Sequence, residues 1–137
     1  MLTPGLTLRA LRVRVGAKRN IYALEVNGRC RYGEFVEVAK SSDPKVLKKL
    51  SRWLDEFAQS GTIPFHNAIK KLKGAHADGI YEIRCKDWRV LFFYDRNDGS
   101  TVLISHAFVK DQNDTPPGEI ARAAELCAAY HASTHGS

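Results

Sequence analysis

The sequence predicts one mixed α and β domain organised around a three-stranded antiparallel meander, and three stretches predict it. Residues 80–109 read as three consecutive strands joined by short polar turns. Residues 43–61 read as an amphipathic helix with capping residues at both ends. Residues 115–130 read as a last helix with one apolar side.

The meander carries the most detail. Ile80, Tyr81, Glu82, Ile83, Arg84 and Cys85 alternate, and residues 88–94 and 101–109 are β-branched and aromatic runs. Lys86-Asp87 joins the first two strands. With Asp98-Gly99 as the central residues of the second turn, a favoured tight-hairpin pair, the register follows. Arg84 lies opposite Arg89, Ile83 opposite Val90, and Tyr81 opposite Phe92. Arg89 in turn lies opposite Phe108, Leu91 opposite His106, and Phe93 opposite Ile104. One face therefore carries Tyr81, Ile83, Cys85, Trp88, Val90 and Phe92. The other gathers Arg84, Arg89 and His106 at one end, with Leu91, Phe93, Ile104 and Phe108 around them. Like charges opposed in a sheet are unfavourable, so an anion between the two arginines is expected.

The remaining elements follow in chain order. Residues 1–20 hold Arg9, Arg12, Arg14, Lys18 and Arg19 and no acid. They read as a basic N-terminal extension to a domain spanning residues 21–131. Within them residues 11–15 alternate like a short edge strand, and a solvated arm is the preferred reading. Residues 21–26 and 31–38 flank Asn27-Gly28, a strong hairpin signal, and are expected to pair as strands. Asp43 caps the first helix with Pro44 at its first position, and Gly61 suits the C-terminal cap. Val46, Leu47, Leu50, Trp53, Leu54, Phe57 and Ala58 form its apolar side, with Lys45, Lys48, Lys49 and Arg52 on the other. Residues 64–73 read as a shorter helix with Phe65, Ile69 and Leu72 inward. Ile120, Ala123, Ala124, Leu126, Cys127 and Tyr130 form the apolar side of the last helix, and residues 131–137 read as a frayed tail.

Composition narrows the class. The chain has 137 residues, 44% apolar and 26% charged, fitting one soluble domain with a real core. No apolar run approaches the roughly 20 residues that span a bilayer, and no signal peptide is expected. A cytoplasmic protein without membrane contact is the corresponding expectation. Cys30, Cys85 and Cys127 are odd in number and widely spaced, so reduced thiols are expected rather than disulfides or a metal site. The net charge of +6 suits a polyanionic or acidic partner.

Phosphate-binding glycine loops, H-E-x-x-H and G-x-S-x-G are all missing from the sequence. A cluster of cations and imidazoles remains. Such a set can cleave RNA without metal or cofactor. Arginine clamps the phosphate and stabilises the added charge of the transition state, while a base and an acid move the protons. The attacking ribose 2′-OH makes such a site inert toward DNA.

The ordered set Leu72-Lys73-Gly74, Gly79 to Arg84, Trp88 to Phe92, His106 to Lys110, Thr115-Pro116 and Glu119-Ile120 resembles the RelE/HigB superfamily of toxins. It is most similar to the phage-derived HigB-like branch, over roughly residues 43–130. The resemblance implies a small α+β fold, a twisted antiparallel-rich sheet with helices packed against it and a C-terminal helix. It implies the toxin of a type II toxin–antitoxin pair, a ribosome-dependent mRNA endonuclease that needs no cofactor. A cognate antitoxin of helix-turn-helix type, the ribosome and mRNA are the implied partners. Arg84, Arg89, His106 and Lys110 match the positions expected to bind and cleave RNA. Lys70, Lys71, Lys73, His76 and Lys86 are the expected flanking RNA contacts. Two features depart from the pattern: Asp111 and Asp114 stand where the family commonly has lysine, and Tyr130 matches no family tyrosine. They keep open a second reading, a weakened or inactive RNA- or ribosome-binding regulator of the same fold.

Overall fold

The computed structural model describes residues 6–74, 77–111 and 115–135. The elements run β1 (Leu8–Val15), β2 (Asn20–Val26), β3 (Arg29–Cys30), α1 (Arg31–Ser42), α2 (Pro44–Ser60), β4 (Ile69–Lys71), β5 (Tyr81–Cys85), β6 (Trp88–Asp95), β7 (Asp98–Val109) and α3 (Pro117–His135). The sheet order is β1-β2-β7-β6-β5-β4. Every neighbouring pair is antiparallel except β2 and β7, which run parallel. This is the expected α+β architecture.

Helices α1 and α2 cover one face of the sheet. Leu50, Leu54, Phe57 and Ala58 of α2 are buried against Ile83, Cys85, Trp88, Val90 and Phe92. Asp43 caps α2 by accepting a hydrogen bond from the Val46 N–H at 3.3 Å, and Gly61 ends it at φ 90°. Phe57 and Phe92 meet edge-on at 5.6 Å. Full burial of each such side chain contributes about 1.5–3 kcal/mol. Helix α3 covers the other face, where Ala123, Leu126 and Cys127 pack with Leu72, Ile80, Leu91, Phe93 and Leu103.

Five expectations are corrected. Residues 31–38 are helix rather than strand. The Asn27-Gly28 turn forms, with φ of 51° and 82°, but the returning strand β3 lasts two residues. Cys30 then caps α1, its sulfur accepting from the Gly33 N–H. Tyr32, Phe35, Val36 and Ala39 repeat at the helical spacing and pack into the core.

Residues 64–73 form no helix. They hold a turn, in which the Ala68 N–H bonds the Phe65 carbonyl, and then strand β4 on the edge beside β5. Phe65 points outward and is 55% exposed. The segment is too short to nucleate a helix unaided, and β5 offers it a ready hydrogen-bonding edge.

The β6–β7 register holds at Arg89–Phe108 and Leu91–His106, then slips. Phe92 pairs with Ile104 and Phe93 with Leu103, because Ser105 is an extra, bulged residue. Ile104 thereby joins the α1/α2 core instead of the Arg84 face. The turn centres on Arg96-Asn97, with Asp95 opposite Asp98.

His131 is buried in α3 rather than part of a frayed tail. Its Nδ1–H donates to the Cys127 carbonyl at 2.8 Å, and its Nε2 accepts the Arg96 N–H at 3.1 Å. At the other terminus, Leu8–Val15 is an edge strand paired along β2, and not a solvated arm.

Candidate RNA-binding and catalytic site

The α3 face of the sheet carries two adjacent cross-strand rows at its polar end. One row is Lys70, Glu82, Leu91 and His106; the next is Arg84, Arg89 and Phe108. The Arg84–Arg89 opposition expected from the sequence is present. The two arginines are nevertheless held quite differently.

Arg89 is buried. Its Nη1 donates to the carbonyls of Lys86 at 2.7 Å and Trp88 at 2.8 Å, while its Nε has no partner among the described residues. Burial lowers its pKa, and Glu82 acts against that shift. Arg84 is the accessible member, with 29% of its side chain exposed and its Nε 3.6 Å from Glu82. The Glu82 side chain is 1% exposed, and its carboxylate also accepts the Thr115 hydroxyl at 2.7 Å. The repulsion between the arginines is therefore met partly by a carboxylate beneath them and partly by carbonyl dipoles.

His106 is buried with both ring nitrogens engaged. Nε2 lies 3.0 Å from the Glu119 carboxylate at the start of α3, and Nδ1 lies 2.8 Å from the Ser105 hydroxyl. With Glu119 ionised, Nε2–H donates to it and Nδ1 accepts from Ser105. Burial lowers the His106 pKa, aided by Arg31 and Arg122 and opposed by Glu119, so the ring is neutral at pH 7. Glu119 is the outward member of the pair, 30% exposed.

The flanking candidates divide by location. Lys70 shares the Arg84 face, whereas Lys71 pairs with Tyr81 and lies on the opposite one. Lys73 is exposed in the loop after β4. Lys86 is exposed in the β5–β6 turn, with φ of 54°, and its carbonyl is one of the two that hold Arg89. The Lys110 N–H bonds the Asp87 carbonyl, which ties the end of β7 to that turn. Asp111 is exposed beside it. His76 and Asp114 lie outside the described residues. Tyr130 packs on Phe93 and donates to Asp95 at 2.7 Å, at the far end of the sheet from Arg89.

Sequence reasoning did not identify Ser105 or the pairing of Glu119 with His106. Neighbours in a strand face opposite ways, so Ser105 reaches the His106 ring only because of the bulge. Glu119 reaches it only because α3 starts beside β7. Neither relation leaves a local signal.

A family model described as "Phage derived protein Gp49-like (DUF891)" matches residues 37–128. That span contains the motifs that carry the resemblance to the phage-derived HigB-like branch. No curated protein matches the chain significantly. Among solved structures, the YoeB dimer from Staphylococcus aureus is similar over 71% of this chain and 100% of its own, at 20% identity and a TM-score of 0.50. At that identity the likeness concerns the fold. The heterotetrameric YoeB–YefM toxin–antitoxin complex from the same organism aligns at 21% identity, with the same coverage and a TM-score of 0.47.

Proposed function

Since the chain belongs to the Phage derived protein Gp49-like family, we propose that it is the toxin of a type II toxin–antitoxin pair. Its activity is ribosome-dependent, metal-independent cleavage of mRNA. The observation that carries this reading is the Arg84–Arg89 pair, in register at one end of the sheet, with the accessible Arg84 held beside Glu82 and the buried Arg89 tied to two carbonyls. A guanidinium held in place before substrate arrives stabilises developing phosphate charge without reorganisation.

Arg84, the exposed member, contacts the scissile phosphate, with Lys70, Lys73 and Lys86 along the flanking backbone. The ribose 2′-oxygen attacks phosphorus and the bond to the 5′-oxygen breaks, leaving a 2′,3′-cyclic phosphate and a 5′-hydroxyl. The 2′-OH proton passes to the His106–Glu119 pair, whose outward member is Glu119. Lys110 protonates the leaving 5′-oxygen. A cognate antitoxin would neutralise the toxin by covering this cationic face with acidic or apolar segments.

Induction in a bacterial host tests the proposal. New 5′ ends in translated messages, strongly reduced with Arg84→Lys, support it. Unchanged growth and unchanged ends reject it.

One observation favours a second reading, an RNA- or ribosome-binding regulator that does not cleave. His106 is closed between Ser105 and Glu119, and Arg84 already faces Glu82. Ribosome binding without new 5′ ends would select that reading.

A further inference from the structure

The outer side of α2 carries cations that the proposed cleavage site does not use. Lys45, Lys48, Lys49 and Arg52 occupy one side of the helix, and none of them forms a salt bridge among the described residues. Beside them, Trp53 and Phe65 stack with ring centroids 5.5 Å apart and planes at 23°. Lys49 Nζ lies 5.1 Å from the Trp53 ring centroid. Lys49, Arg52, Trp53, Phe65 and His66 line an open groove of about 600 Å³, with Glu56 the acid on its rim. That volume falls within the roughly 300–1,000 Å³ of ligand pockets.

An exposed phenylalanine is expensive to leave in water, and this one is held flat by Trp53 instead of folding inward. An aromatic platform ringed by cations suits an unpaired nucleobase and its phosphates. The groove is also connected to the arginine site. The Phe65 carbonyl accepts the Ala68 N–H at 3.1 Å, and the Ala68 carbonyl accepts the Arg84 N–H at 2.8 Å. The 65–68 turn thus leads from the groove into β4, and its last residue is bonded through the backbone to Arg84.

We propose that the Trp53–Phe65 groove is a second RNA subsite, in which an unpaired base stacks on Phe65 and Lys49 and Arg52 hold its flanking phosphates. The single strand would run from there around the β4 edge toward Arg84. This rests on RNA being the ligand of the proposed function, but it does not require cleavage.

The test is fluorescence anisotropy with a fluorescein-labelled single-stranded oligouridine and the purified full chain. Phe65→Ala weakens binding roughly five- to fiftyfold, as expected for loss of one stacked base. Phe65→Tyr retains binding, and Arg52→Glu weakens it. Binding also quenches tryptophan fluorescence in the wild type. Both substituted side chains are exposed, so the variants keep the fold. Loss with Arg52→Glu but not with Phe65→Ala would overturn the subsite in favour of unspecific charge attraction. Absence of binding by the wild type would overturn it too. Binding that depends on Phe65 without any mRNA cleavage in cells would sustain the subsite while rejecting the nuclease. Cleavage in cells with Phe65-independent binding would do the reverse.

Discussion

Arg84 and Arg89 face each other across β5 and β6, yet only Arg84 reaches solvent while Arg89 is tied to the carbonyls of Lys86 and Trp88. The two substitutions therefore separate stability from function. Arg89→Ala strips a charged donor from two carbonyls and costs about 1–3 kcal/mol. Arg84→Lys keeps a cation beside Glu82 and changes stability by about 0.5 kcal/mol or less. It removes the planar fork, and cleavage falls about tenfold or more. Urea unfolding of both variants, set beside growth assays, checks the pair.

A pH dependence follows from His106. Its pKa is lowered in the folded state by burial, so below the ordinary histidine value near 6.5 the unfolded chain binds the additional proton. Stability is then full above about pH 7 and declines as pH falls through 6.5 toward the lowered folded value. Glu119 limits the effect, since protonated His106 would gain an ion pair with it. In His106→Gln this component is gone. Denaturation at pH 7.5 and pH 5.5 should show a smaller difference for the variant than for the wild type.

Gly16 lies in the turn from β1 to β2, against α2. The carbonyl of Ala58 on α2 accepts the N–H groups of Lys18 and Arg19 at 3.0 and 2.9 Å. A Cβ at residue 16 would collide with that same carbonyl, which is backbone and cannot swing aside. Gly16→Ala is expected to cost about 3 kcal/mol, the upper end for overpacking. Gly99, with nothing near its Cβ position, provides the control. Thermal unfolding of Gly16→Ala and Gly99→Ala distinguishes close packing from a general glycine effect.

How far the sequence revealed this molecule depends on the range of the interactions. Helix α2 was legible because its apolar spacing, Asp43, Pro44 and Gly61 all agree within one segment. The Arg84–Arg89 register was legible because Lys86-Asp87 forces it through a two-residue loop. Helix α1 was hidden by Asn27-Gly28, a true turn signal that exerts its effect for two residues before Cys30 starts a helix. Strand β4 was hidden because its backbone pairs with β5, a partner distant in sequence. At the candidate site the cations could be read from their strands. The companions of those cations could not: Glu119 arrives with α3, and Ser105 turns toward His106 only through the bulge in β7.

Cleavage of mRNA by this arginine face through the ribose 2′-oxygen is tested on a programmed ribosome. The purified protein would be added to ribosomes carrying a defined mRNA, with and without a single 2′-deoxy substitution at the cut position. This mechanism yields a 2′,3′-cyclic phosphate and a 5′-hydroxyl from the all-ribose message, no cut at the deoxy position, and strongly reduced cleavage with Arg84→Lys. Cleavage that persists at the deoxy position, or an intact all-ribose message on a ribosome that binds the protein, would contradict it.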